Sequence, residues 1–165
     1  MPVYHKLEEG TDGKHIIPFI ISRMREELEA VTKPPFSLQL SNVALIWDSK
    51  YYFNKHKGRM TTFLHDEFHT TPQTIEEQLT TNDMSGIIID HEENIMSFES
   101  PVVVFIRTGS GIGTRSFYTS STRARVSFTI VDVRTGLPPH TYNNMDSVHW
   151  KPHHSNNGTF VKYTP

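Results

Sequence analysis

Val102-Val103-Val104-Phe105-Ile106 is apolar on both phases of a strand. A half-buried strand alternates apolar with polar residues, so this run reads as a central strand buried on both faces. Downstream lies the glycine-rich stretch Gly109 to Gly113. Ala124 to Val133 then alternates, with Val126, Phe128 and Ile130 on one side and Arg125, Ser127 and Thr129 on the other. Upstream, Gly86 opens a strand through Ile87, Ile88 and Ile89. His91 to Asn94 reads as a polar turn, and Ile95 to Phe98 as the return of a hairpin. Phe36, Leu38 and Leu40 share one face, and Val43, Leu45 and Trp47 share the other, with a phase slip at Ser41-Asn42. The aromatic and basic segment from Asp48 to Gly58 reads as a strand end running into a turn.

Ile17, Ile20, Ile21, Met24, Leu28 and Val31 recur at helical spacing. Arg23, Arg25, Glu26, Glu27 and Glu29 take the other face. Pro18 suits a first turn, and Pro34-Pro35 end the element. Thr71-Pro72 and the box Thr74-x-x-Glu77 mark a short helix over about 72–80. These elements predict an α+β fold: a mostly antiparallel sheet or sandwich, one long N-terminal amphipathic helix and one short surface helix. Residues 1–15 read as an N-terminal arm and 16–136 as a single domain. Residues 137–165 read as an extended tail whose last short strand runs from Thr159 to Tyr163.

The chain has 165 residues, 36% hydrophobic and 21% charged. That is one domain's worth of chain with enough apolar content for a core, which excludes wholesale disorder. It has no cysteine, which removes disulfides, thiol catalysis and thiolate metal sites. No apolar run is long enough to span a bilayer, and the start lacks a basic n-region followed by an apolar stretch. The expected location is the cytoplasm, or incorporation in a virion, with no visible signal for secretion.

Charge is divided along the chain. Residues 1–100 carry 9 basic and 16 acidic side chains, and residues 101–165 carry 7 basic and 2 acidic, against −2 overall. Oppositely charged parts attract within one fold or between copies. Ten histidines add a pH-sensitive positive charge.

Five sets of residues bear on chemistry. In His65-Asp66-Glu67-Phe68-His69, two histidines four apart share a helix face and could hold one divalent metal, with Asp90, His91 or Glu92 as third ligand. His149-Trp150-Lys151-Pro152-His153-His154 places adjacent imidazoles in a loop, a second metal arrangement. Gly109-x-Gly111-x-Gly113 follows a buried strand, but the residues after it do not open a helix, so it is not a dinucleotide fingerprint. The arginine set Arg107, Arg115, Arg123, Arg125 and Arg134, with Phe117 and Tyr118 between them, is the candidate partner or phosphate surface. His69-Thr70-Thr71 and His154-Ser155-Asn156 fall outside the apolar strands that paired-histidine phosphoesterase chemistry needs.

No catalytic constellation is apparent. The reading that follows is a non-enzymatic structural or assembly protein, a subunit of a virion-like particle or connector. It would be joined to copies of itself or to other subunits through complementary charge, without a cofactor. The alternatives are a small metal-dependent hydrolase using His65 and His69, and a phosphate- or nucleic-acid-binding module using the arginine stretch. The block from Ser100 to Gly136 has the strand–long loop–strand outline of phage tail-completion proteins, a generic pattern from which no residue is carried over.

Overall fold

The computed structural model describes residues 3–8, 10–34, 37–95, 98–109, 121–134, 150–153 and 160–163. Five strands form one sheet: β1 (Val3–Lys6), β2 (Val43–Trp47), β3 (Ile88–His91), β4 (Ser100–Arg107) and β5 (Ala124–Asp132), in the order β1-β5-β4-β2-β3. Every pairing in it is parallel. Three helices accompany the sheet: α1 (Ile16–Val31), α2 (Lys50–Phe68) and α3 (Ile75–Thr81). A separate antiparallel pair, β6 (Trp150–His153) and β7 (Phe160–Tyr163), lies near the C-terminus.

The fold is thus α/β, and the expected antiparallel sheet or sandwich is overturned by the all-parallel pairing. The physical reason lies in the central strands. Val43–Trp47 and Val102–Ile106 are buried throughout because helices or loops cover both faces. Continuous apolar runs of this kind characterise parallel sheets, whose crossovers must pass over the faces. The expected hairpin fails for the same reason. Glu92–Asn94 form a 3-10 turn after β3, and the chain crosses past β2 to enter β4 two places away.

The segment expected to be a strand end at Asp48–Gly58 is instead the first half of α2. Ser49 caps it by accepting a hydrogen bond from the Tyr52 amide at 3.3 Å. Tyr52, Phe53, His56, Met60 and Leu64 then turn inward at helical spacing. The phase slip at Ser41-Asn42 is a 3-10 turn, Leu40–Asn42, that leads into β2. Residues 3–6, read from sequence as part of an arm, form the edge strand β1.

The two faces have separate cores. Ile17, Ile20, Ile21 and Met24 of α1 and Phe53, Met60 and Leu64 of α2 pack on Val43, Leu45, Trp47, Val104 and Ile106. On the other face Ala44, Ile46, Val103, Phe105 and Ile130 meet Ile75 of α3 and Ile95 of the β3–β4 connection. Gly86, just before β3, is sterically required: a Cβ there would lie 2.7 Å from the Thr71 carbonyl oxygen. Gly86→Ala is expected to cost about 1–3 kcal/mol by forcing that backbone apart, which urea denaturation would measure.

Candidate functional site

In a parallel sheet every strand delivers its last residue to the same edge. Here the buried apolar runs each end there in a polar residue: Asp48 after β2, Asp90 next to last in β3, Arg107 ending β4 and Asp132 ending β5. The strand order also reverses at this edge. From β2 the chain moves to β3 on one side, and from β4 it moves to β5 on the other. The chain therefore leaves the neighbouring carboxyl ends of β2 and β4 in opposite directions, and such a switch point, the crevice of open α/β sheets, is their usual ligand position.

Asp48 joins the two strand ends at that switch point. One carboxylate oxygen accepts the Thr108 amide at 2.9 Å and the Gly109 amide at 3.2 Å. The other accepts the Thr108 hydroxyl. Gly109 has a φ of 87°, a left-handed conformation that glycine adopts without strain and that turns its amide toward the acid. Asp48 is only 4% exposed. Burial pushes its carboxyl up to about 6, with the Thr108 and Gly109 hydrogen bonds and the Arg107 charge opposing the rise. An acid raised into this range exchanges a proton near neutrality.

Two further clusters flank it. Asp132 accepts both nitrogens of the Arg134 fork at 2.8–3.1 Å and lies 3.8 Å from Arg107. It also accepts the Tyr4 hydroxyl of β1. Burial alone would raise the Asp132 carboxyl, but the Arg134 and Arg107 charges and these hydrogen bonds outweigh it and hold it below the usual range. The Tyr4 phenol is pushed up by burial and then by the Asp132 charge.

At the β3 end, Asp90 accepts the Ile75 amide at 2.9 Å, the His91 amide at 2.8 Å and the Asn94 side-chain amide at 2.9 Å. The His91 ring lies against Phe53, and the His56 ring stacks on Trp47 at 5.2 Å. Among the described residues, Trp47 Nε1, His56 Nε2 and His91 Nδ1 are buried without a hydrogen-bond partner. Each such group costs about 1–3 kcal/mol, and a concentration of them beside the crevice marks a place not optimised for stability alone.

The residues singled out from sequence do not converge. His65 is exposed on α2, and His69 is the left-handed residue (φ 54°) that ends the helix. Among the described residues no group of three or more His, Asp or Glu could hold a metal. His153 belongs to β6, while His149 and His154 lie outside the described residues, as do Arg115, Phe117 and Tyr118. Arg107 is 1% exposed and, with Arg134, serves Asp132. Arg125 pairs with Glu99 near the other end of β5, about 23 Å away at the usual rise per residue. Arg123 precedes β5 at that same end, so Arg107 and Arg134 form no common surface with Arg123 and Arg125.

Sequence reasoning passed over Asp48. The signal that points to it is a buried run, Val43 to Trp47, ending in an acid followed by a helix-capping serine.

No family model matches the chain, and no curated protein does. Among solved structures, it is similar to the C-terminal domain of a possible DNA helicase from Lactobacillus plantarum WCFS1. The two share 16% identity over 87% of this chain and 81% of that one, with a TM-score of 0.49, a likeness too slight to inform function.

Proposed function

We propose that the chain is a small-ligand-binding α/β domain that seats a phosphorylated small molecule in the crevice between the ends of β2 and β4. The observation that carries this reading is Asp48, a buried acid bridging the two strand ends. Its proton affinity is costly to the fold and useful to a site.

The ligand class follows from α2. Its first turn contains no acid, its first residue is Lys50, and its N-terminus opens beside Asp48. The positive end of the helix dipole is thus uncompensated by its own sequence and suits an anion. In this reading Asp48 accepts a hydrogen bond from a ligand hydroxyl or exchanges a proton with it, while Lys50 and the α2 amides face the phosphate.

The particle-subunit reading gains no support from the fold. Among the described residues, Arg23, Arg25, Lys57 and Arg125 pair with acids of their own chain.

Thermal-shift measurements with nucleotides and sugar phosphates test the proposal. A ligand is expected to raise the Tm of the wild type and to act at least tenfold more weakly on Asp48→Asn. A ligand acting equally on both proteins, or none acting on either, would overturn it.

A further inference from the structure

The outer face of α2 is basic in the more acidic part of the chain. No acid occurs between Ser49 and His65, while Lys50, Lys55, Lys57 and Arg59 do. Tyr51, Lys55 and Arg59 are exposed and recur every four residues, which sets them on one stripe of the helix with exposed Asn54, Gly58 and Thr62 in the adjacent row, whereas Lys50 lies half a turn round from Arg59. Lys57 leaves the set by pairing with Glu77 at 3.8 Å. Among the described residues Lys50, Lys55 and Arg59 have no acidic partner. Tyr51, Lys55 and Arg59 follow one another about 6 Å apart along the axis, turning only about 40° at each step, so Lys55 and Arg59 form a row with the exposed tyrosine. Their field reaches inward: burial first, then Lys55 and Arg59, holds the His56 imidazole down to about 4.

Two features distinguish this stripe from an ordinary solvated face. Tyr51 is 65% exposed, although a tyrosine is usually covered. Gly58 occupies the middle of the helix, where glycine costs about 1 kcal/mol relative to alanine. Nothing lies within 4 Å of where its Cβ would be, so no neighbour within the protein requires glycine there. A missing side chain between Lys55 and Arg59 allows an outside chain to approach the helix backbone.

We infer that this face of α2 binds single-stranded nucleic acid. Lys55 and Arg59 would hold successive phosphates beside Gly58, and Tyr51, one turn before Lys55, would stack on a base. A membrane surface is disfavoured because the stripe presents no aliphatic side chain for the hydrocarbon boundary. An acidic protein segment would use the cations but not the flat, exposed ring. The inference stands apart from the crevice, which lies at the sheet edge rather than on the outer face of the helix.

Fluorescence anisotropy with labelled 20-nucleotide DNA and RNA, titrated from low to physiological salt, tests it. Two phosphate contacts predict that affinity falls with a log–log slope of about −1.4. The double variant Lys55→Gln/Arg59→Gln should bind at least tenfold more weakly, with a Tm lowered by no more than the loss of the Lys55 contact with the Tyr52 ring. Tyr51→Ala should weaken binding while leaving the salt slope unchanged. Equal binding by the double variant, no binding at low salt, or equally tight binding of labelled polyglutamate would overturn the inference.

Discussion

Asp48→Asn is expected to stabilise the protein at pH 7.5. The wild-type carboxyl is raised from its ordinary value to about 6, so the fold favours its protonated form. The sign follows directly. The native state binds the extra proton between roughly pH 4 and 6, so this acid's contribution is most favourable below pH 4. It is lost as pH rises through 6. Above that, ionised Asp48 costs about 3 kcal/mol relative to a neutral group.

Asparagine keeps the geometry without the charge. Its oxygen can accept the Thr108 and Gly109 amides, and its NH2 can donate to the Thr108 hydroxyl oxygen, which also accepts. The Tm at pH 7.5 should rise by as much as about 6–12 °C for a domain of this size. The difference between variant and wild type should shrink to nothing near pH 4. Asp48→Ala should instead destabilise, because it leaves the amides of Thr108 and Gly109 without an acceptor. Thermal unfolding of the three proteins across pH 4–8 checks this. A destabilised asparagine variant at pH 7.5 would mean that the negative charge holds the fold together.

Asp132→Ala has the opposite expected sign and a larger effect. Removing this carboxylate leaves Arg107 buried beside the Arg134 guanidinium and strips the Tyr4 hydroxyl of its acceptor. Breaking a buried ion pair from one side costs about 3–5 kcal/mol. A domain of ordinary stability would lose much of its folded population.

The pH dependence of Asp132 also runs opposite to that of Asp48. Its carboxyl is held below the usual range, so its contribution is present above about pH 4 and lost as pH falls further. Urea denaturation at pH 7 should show the large loss. Asp132→Asn should lose less than alanine, because the amide oxygen still accepts from one arginine. Equal stability of Asp132→Ala and wild type would show that the arginines find other partners and that the cluster is not structural.

The contrast between these two acids explains what the sequence did and did not reveal. Helix α1 was legible because its apolar residues recur on one stripe while charges occupy the other. The central position of Val102 to Ile106 was legible because both phases are apolar. The same feature in Val43 to Trp47 carries the parallel topology, which an alternation pattern does not display because both faces of the strand are buried. Helix α2 was misread because Tyr51, Tyr52 and Phe53 favour strands. The capping serine and the inward spacing of Phe53, His56, Met60 and Leu64 override that preference through tertiary burial.

The candidate site was illegible for a different reason. His65 and His69 are close in sequence, whereas Asp48 meets Thr108 and Gly109 across sixty residues of chain. Only the strand order brings those groups together. A local motif search detects neighbours along the chain, but a crevice at a switch point is built from residues that are neighbours only in the sheet.

The most direct test of the central claim is amide NMR of the wild-type protein titrated with the phosphorylated ligand that gives the largest thermal shift. The account predicts that chemical-shift changes concentrate at Asp48, Ser49, Lys50 and Tyr51 and at Thr108 and Gly109, the two sides of the crevice. Changes centred instead on the groove of about 670 Å³ between β1 and α1, lined by His5, Lys6, His15, Phe19 and Arg23, would contradict it.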